Sequence, residues 1–141
     1  MRVLIVEPGQ YPREAEIENT LAAEQKIVDG LIEAIYPWQD TACIVANDEA
    51  KLIGLPFNRA LGDYDVLAGT FFICGLGDTD FKSLTEEQVQ CYEKLYHEPQ
   101  YFLRTVKGIS VIKCTPEEYQ GYSEFFGNPK PPRPHKNQPE R

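Results

Sequence analysis

The residues of this chain that could do chemistry are few and scattered: two histidines, four cysteines, some closely spaced carboxylates and one Asn-Arg dipeptide. Nucleophilic catalysis needs a base within reach of a Ser or Cys, most often a histidine. His97 falls at the end of a predicted helix, where a partly exposed imidazole beside carbonyl dipoles is ordinary. His135 falls in a proline-rich C-terminal stretch that cannot hold a general base in place. Neither supports a His-dependent mechanism. Cys43, Cys74, Cys91 and Cys114 contain no C-x-x-C pair to seed a zinc or redox site, and they fit reduced thiols in a cytoplasmic protein.

Carboxylates are the alternative source of acid–base or metal chemistry. Asp78 and Asp80 form D-x-D like the start of a calcium loop, but Lys82 stands at the fifth position and no glutamate completes the pattern. A solvated loop is the expectation there, and equally for Asp63 and Asp65. Gly75-Leu76-Gly77 lacks the third glycine and immediate helix of a dinucleotide turn, and the neighbouring aspartates would repel a pyrophosphate. No metal and no cofactor is expected. Glu33 interrupts the apolar segment Leu31 to Ile35; it either faces solvent, the preferred reading, or is buried with a partner and then becomes a functional lead. Asn58 and Arg59 combine a donor–acceptor amide with a rigid cationic fork suited to a carboxylate or phosphate. Against that stands a structural reading, which is preferred: Asn58 caps a short helix and Arg59 pairs with a nearby acid. Trp38 and Phe57 are candidate exposed aromatics of a contact surface.

These residues must be positioned by a single small domain. The chain has 141 residues, 42% hydrophobic, which suits one core and excludes collagen-like and wholly disordered classes. Fourteen Lys and Arg stand against 22 Asp and Glu, a net charge of −8, so phosphate backbones and anionic lipids are repelled. No apolar run spans a bilayer, and the apolar stretch after Met1-Arg2 is too short for a signal-peptide core.

Residues Arg2 to Glu7 predict a buried strand, and Arg13 to Glu18 an edge strand with Ala15 and Ile17 inward. A helix begins at Asn19 or Thr20, presents Leu21, Ala22, Ile27, Val28 and Leu31, and ends at Gly30. A strand follows over Leu31 to Tyr36, then a hairpin of Ala42 to Ala46 with Lys51 to Leu55. Asn58 to Asp63 predicts a helical turn or loop, Asp65 to Cys74 one strand with a bulge or close approach at Gly69, and Gly75 to Asp80 a flexible link. Thr85 and Gln88 form a capping box with a Leu84–Val89 staple, opening a helix that turns Val89, Tyr92, Leu95 and Tyr96 inward and stops near Pro99. Tyr101 to Arg104 reads as a helical turn or a strand, and Ile109 to Cys114 as a strand. Thr115, Pro116 and Glu118 then start a short last helix. From Asn128 to Arg141 five residues are proline, which predicts an extended tail. That tail carries +3 and residues 1–127 carry −11, so nucleic acid is not the expected partner of the body and is admitted only for the tail.

Four blocks in order, Met1 to Gly9 (MRVLIVEPG), Ile27 to Tyr36 (IVDGLIEAIY), Asn47 to Leu61 (NDEAKLIGLPFNRAL) and Leu67 to Gly77 (LAGTFFICGLG), resemble the domain-of-unknown-function family DUF3846 of bacterial chromosomes, phages and conjugative elements. The resemblance covers about the first 80 residues well and the rest loosely, and brings no assigned activity, cofactor or catalytic set. It implies Gly30, Glu33, Asn58 and Arg59 as a shared ligand or partner surface. One departure stands out: the family has Gly-Gly before the I-E strand, where this chain has Asp29-Gly30.

The expected fold is α+β, a mixed or mostly antiparallel sheet of about five strands with two to three helices in one domain over 1–127. Residues 1–77 form its family-like part, 78–127 a helical and strand extension, and 128–141 the basic tail. The expected function is that of a cytoplasmic, non-enzymatic accessory protein of a mobile genetic element that binds a basic protein surface through its acids, as a nucleic-acid mimic. The alternative is a small-molecule or nucleotide-binding domain, or a small enzyme, using Glu33, Asn58 and Arg59. Oligomeric state is left open.

Overall fold

The computed structural model describes residues 1–128, so the tail expectation falls, beyond Asn128, outside the described residues. In chain order the elements are β1 (Arg2–Val6), β2 (Arg13–Glu16), α1 (Leu21–Val28), β3 (Ile32–Ile35), β4 (Ala42–Asn47), β5 (Phe57–Leu61) and β6 (Asp65–Ala68). Then come β7 (Phe71–Leu76), β8 (Phe81–Lys82), α2 (Glu86–Leu95), β9 (Gln100–Thr105), β10 (Gly108–Lys113) and α3 (Pro116–Phe126). The main sheet runs β2-β1-β7-β4-β3 with β8 added to the end of β7, and every pairing is antiparallel. β5–β6 and β9–β10 form separate two-stranded ladders. The fold is therefore α+β, with more strands than the sequence reading counted.

Strands β1, β4 and β7 are buried on both faces, which is why they read as unbroken apolar runs. Their alternation splits the core. Leu4, Val6, Ile44, Phe71 and Ile73 meet Val89 and Tyr92 from α2 and Tyr96 just beyond its end on one face. Val3, Ile5, Val45 and Phe72 meet Val28 from α1 on the other. Cys43 and Cys74 are cross-strand neighbours on that second face with Sγ atoms 3.8 Å apart, and all four cysteines are free. A third cluster, with Ala50, Phe57, Ala68 and Phe102, ties β5–β6 to β9.

Both capping boxes form as the sequence predicts: Thr85 accepts from Gln88 and Thr115 from Glu118, each with the reciprocal side-chain bond. The Leu84–Val89 staple lies in the first cluster. In α2, Leu95 turns outward instead of inward. In α1, capped by Thr20, Leu21 and neighbouring Leu31 are exposed, and Glu24 takes the buried position beside Val28. The apolar stripe is thus rotated from the one expected. Burial, reinforced by Asp80, pushes the Glu24 carboxyl above its ordinary range.

The hairpin expectation is half right. β4 exists, but its neighbours are β3 and β7, and Lys51 to Leu55 is not a strand. With both sides of β4 occupied, the segment closes into turns (Ile53 N to Glu49 O, 2.9 Å; Leu55 N to Ala50 O, 2.9 Å), leaving Leu52 and Ile53 exposed. The expected strand Asp65 to Cys74 is divided into β6 and β7 at Gly69, whose φ of 75° turns the chain while Leu55 sits where a Cβ would go. Gly75 and Leu76, expected in a flexible link, end β7. Asn58 to Asp63, expected as a helical turn or loop, begins within β5, because Phe57 and Leu61 are drawn into separate apolar clusters. Phe57 is therefore buried and Trp38 half-buried against Tyr92, so neither is the exposed aromatic expected.

Candidate functional site

The residues singled out from the sequence fall into two unlike places. Arg59 is completely buried, with no carboxylate beside it among the described residues, and each of its five N–H groups has an acceptor. Nε and Nη2 donate to the Tyr96 carbonyl, both at 3.1 Å, and Nη2 also to Gln10 O at 2.7 Å. Nη1 donates to Asn58 O at 3.3 Å and Asn58 Oδ1 at 2.9 Å. Tyr96 is the C-cap of α2, so the guanidinium sits against the negative end of the helix dipole, which compensates a buried cation without an anion. Burial lowers its pKa to about 10, which leaves it charged at neutral pH.

Asn58 completes this knot. It is completely buried, and its Nδ2 donates to Val6 O (2.9 Å) and Gly69 O (2.8 Å) while Oδ1 accepts from Arg59. It caps no helix. Neither the expected helix cap nor, among the described residues, the expected acid partner forms; both side chains are taken up instead by backbone carbonyls from four separate segments, which the sequence did not indicate. Neither offers a free polar group to a ligand.

Gly30 is a close-approach glycine. A Cβ there would lie 2.6 Å from Nδ2 of Asn47, which bonds Val28 O and Asp29 O, both at 3.1 Å, while Asn47 Oδ1 takes Glu49 N at 2.7 Å. Asn47 thereby ties the end of α1 to the turn after β4. Asp29 adopts the left-handed conformation (φ 62°, ψ 46°) that glycine enters freely and aspartate tolerates.

Glu33 lies elsewhere, on the edge strand β3, with its side chain exposed as preferred. With Ile35, Ala46 and Leu67 it lines a cavity of about 560 Å³ between the β3–β4 ladder, the following turns and β6. Asp48, Glu49 and Asp65 add further carboxylates, and Lys51 is held in an ion pair with Asp65. Partial burial first, then the charges of Asp48 and Asp65, hold the Glu33 carboxyl above its ordinary range, Lys51 opposing. For Asp65, the Lys51 bond and the Val66 amide outweigh burial and lower it. Carboxylates over an apolar floor can take a cationic group with an aliphatic stem. Among the described residues no three His, Cys, Asp or Glu are grouped as a metal ion would need, and no helix is long and apolar enough to cross a membrane.

Of the four sequence candidates, Gly30 and Glu33 are brought to the same end of the sheet, Gly30 through Asn47, which also lines the cavity. Asn58 and Arg59 are not. Asp48, Lys51 and Asp65 were missed as partners of Glu33 because no local pattern announces that β6 lies across from β3.

No curated protein and no solved structure matches the chain. A family model described as "Domain of unknown function (DUF3846)" matches residues 1–97, from β1 to just past α2.

Proposed function

The chain belongs to the DUF3846 family, and on that footing we propose that it is a cytoplasmic, non-enzymatic accessory protein of a bacterial mobile genetic element that binds a basic protein partner. One observation carries the reading: Glu33, Asp48, Glu49 and Asp65 line one cavity whose single lysine is already engaged by Asp65. The excess negative charge there favours cationic side chains and steers a basic surface towards it. Such a partner surface is of the kind that otherwise meets phosphates, so the acids would serve as a nucleic-acid mimic.

The test is capture from a bacterial lysate by the protein and by its Glu33→Lys/Asp48→Lys/Glu49→Lys variant, with Glu14→Lys/Glu16→Lys on β2 as the control. A captured protein that is released by salt and lost with the first variant but kept by the second supports the reading. Equal capture by all three overturns it. A second reading, a small cationic ligand in the same cavity, is favoured by a volume within the usual range for ligand sites. Of Glu33, Asn58 and Arg59, only Glu33 would contribute to it, and a small molecule co-purifying with the protein and lost in the first variant would support it.

A further inference from the structure

The two edges of the main sheet are defended differently. β2 carries Arg13, Glu14 and Glu16, the charged pattern that discourages strand pairing. β3 reads Ile-Glu-Ala-Ile and, among the described residues, pairs on one side only, with β4. Its flanking residues Leu31 and Tyr36 are exposed at 57% and 63%. The register makes Glu33 the partner of Ala46, and Leu31 O accepts from Asp48 N at 2.8 Å. Antiparallel ladders alternate, so residues 31, 33 and 35 turn their backbone groups to β4 while Ile32 and Ala34 turn theirs away from the sheet. An open donor–acceptor row therefore borders the cavity into which Glu33 and Ile35 project.

We propose that the β3 edge is a strand-addition site for an extended basic segment of a partner protein, which hydrogen-bonds Ile32 and Ala34 and places a Lys or Arg opposite Glu33 in the cavity. Residues directly opposite in a ladder share a face, so a basic residue opposite Glu33 meets the carboxylates, and apolar residues opposite Ile32 and Ala34 continue the face packed by α1. The alternation apolar–basic–apolar follows from the register. A second copy of this chain is disfavoured as occupant, because pairing β3 with itself would bring two acidic cavities together in molecules each carrying −8.

This inference rests on the acidic-surface reading but can fail without it. The probe is an acetylated, amidated Thr-Val-Lys-Val-Lys-Val-Thr peptide, titrated into the intact protein and followed by amide hydrogen exchange. Expected are slowing of the Ile32 and Ala34 amides by about tenfold or more, and an affinity lowered about tenfold by Glu33→Gln. Ala34→Pro removes an outward N–H without touching the β4 ladder and should abolish binding. The same peptide N-methylated on alternate residues, tested on the unaltered protein, should also fail, which keeps the test independent of whether Ala34→Pro folds. Binding that Glu33→Gln weakens, with no protection of Ile32 and Ala34 and no effect of N-methylation, overturns strand addition and leaves the acidic surface standing. Absence of peptide binding alongside salt-sensitive capture from lysate does the same. A concentration-dependent dimer lost in Ala34→Pro overturns the proposal in favour of a second copy.

Discussion

Arg59 and Glu33 are both charged residues on short strands, yet one is sealed and the other open. The Arg59 knot spends every donor on the chain itself, gathering the β1–β2 connection, β5 and the end of α2 around one guanidinium. The β3 edge leaves backbone groups, a carboxylate and two large apolar side chains facing outward. The contrast teaches that residue type does not separate a binding group from a bolt. What separates them is whether the chain has already answered the group's hydrogen bonds.

The comparison is broken most severely at Arg59. Arg59→Met should leave the Tyr96, Gln10 and Asn58 acceptors unanswered and destabilise by about 3–5 kcal/mol in urea unfolding; a loss under 1 kcal/mol would mean the knot is not structural. Asn58→Ala follows at about 2–3 kcal/mol. Its effect should shrink in the Arg59→Met background, with a coupling of about 1 kcal/mol or more in a double-mutant cycle. Gly30→Ala displaces Asn47 from its two carbonyls and should cost about 1–2 kcal/mol. Glu24 sharpens the contrast through pH. Because its folded pKa lies above the ordinary 4.5, its contribution is fully present below that value and is lost as pH rises through the folded pKa. Glu24→Gln should therefore stabilise at pH 7 and lose that advantage towards pH 4, read from melting curves across that range. At the open end, Glu33→Gln should shift stability by no more than about 0.5 kcal/mol, its effect appearing in binding alone.

Where local chemistry decides an element, the sequence was readable. Thr85 with Gln88 and Thr115 with Glu118 mark both helix starts because each cap is made within one turn. The apolar runs of β1, β4 and β7 identify buried strands, and Ala15 and Ile17 lean on the core as their alternation predicts. What failed was non-local. Lys51 to Leu55 is apolar enough for a strand but has no ladder left to join. Asn58 and Arg59 look like surface chemistry because their acceptors are carbonyls, which carry no residue identity. The cavity around Glu33 was invisible for the same reason: Asp65 is 32 positions away and reaches it only through the turn of β5 into β6.

The span of the Arg59 contacts sets the order in which the molecule can come together. Its bond to Gln10 closes a separation of 49 residues and that to Tyr96 one of 37, while Asn58 reaches back 52 to Val6. Closures of that length cost chain entropy before they return anything, whereas the β9–β10 and β5–β6 ladders form between near neighbours. The knot is therefore expected to close late on the folding path. Its loss should then quicken unfolding far more than it slows refolding, shortening the native lifetime while leaving the speed of reaching the native state nearly unchanged.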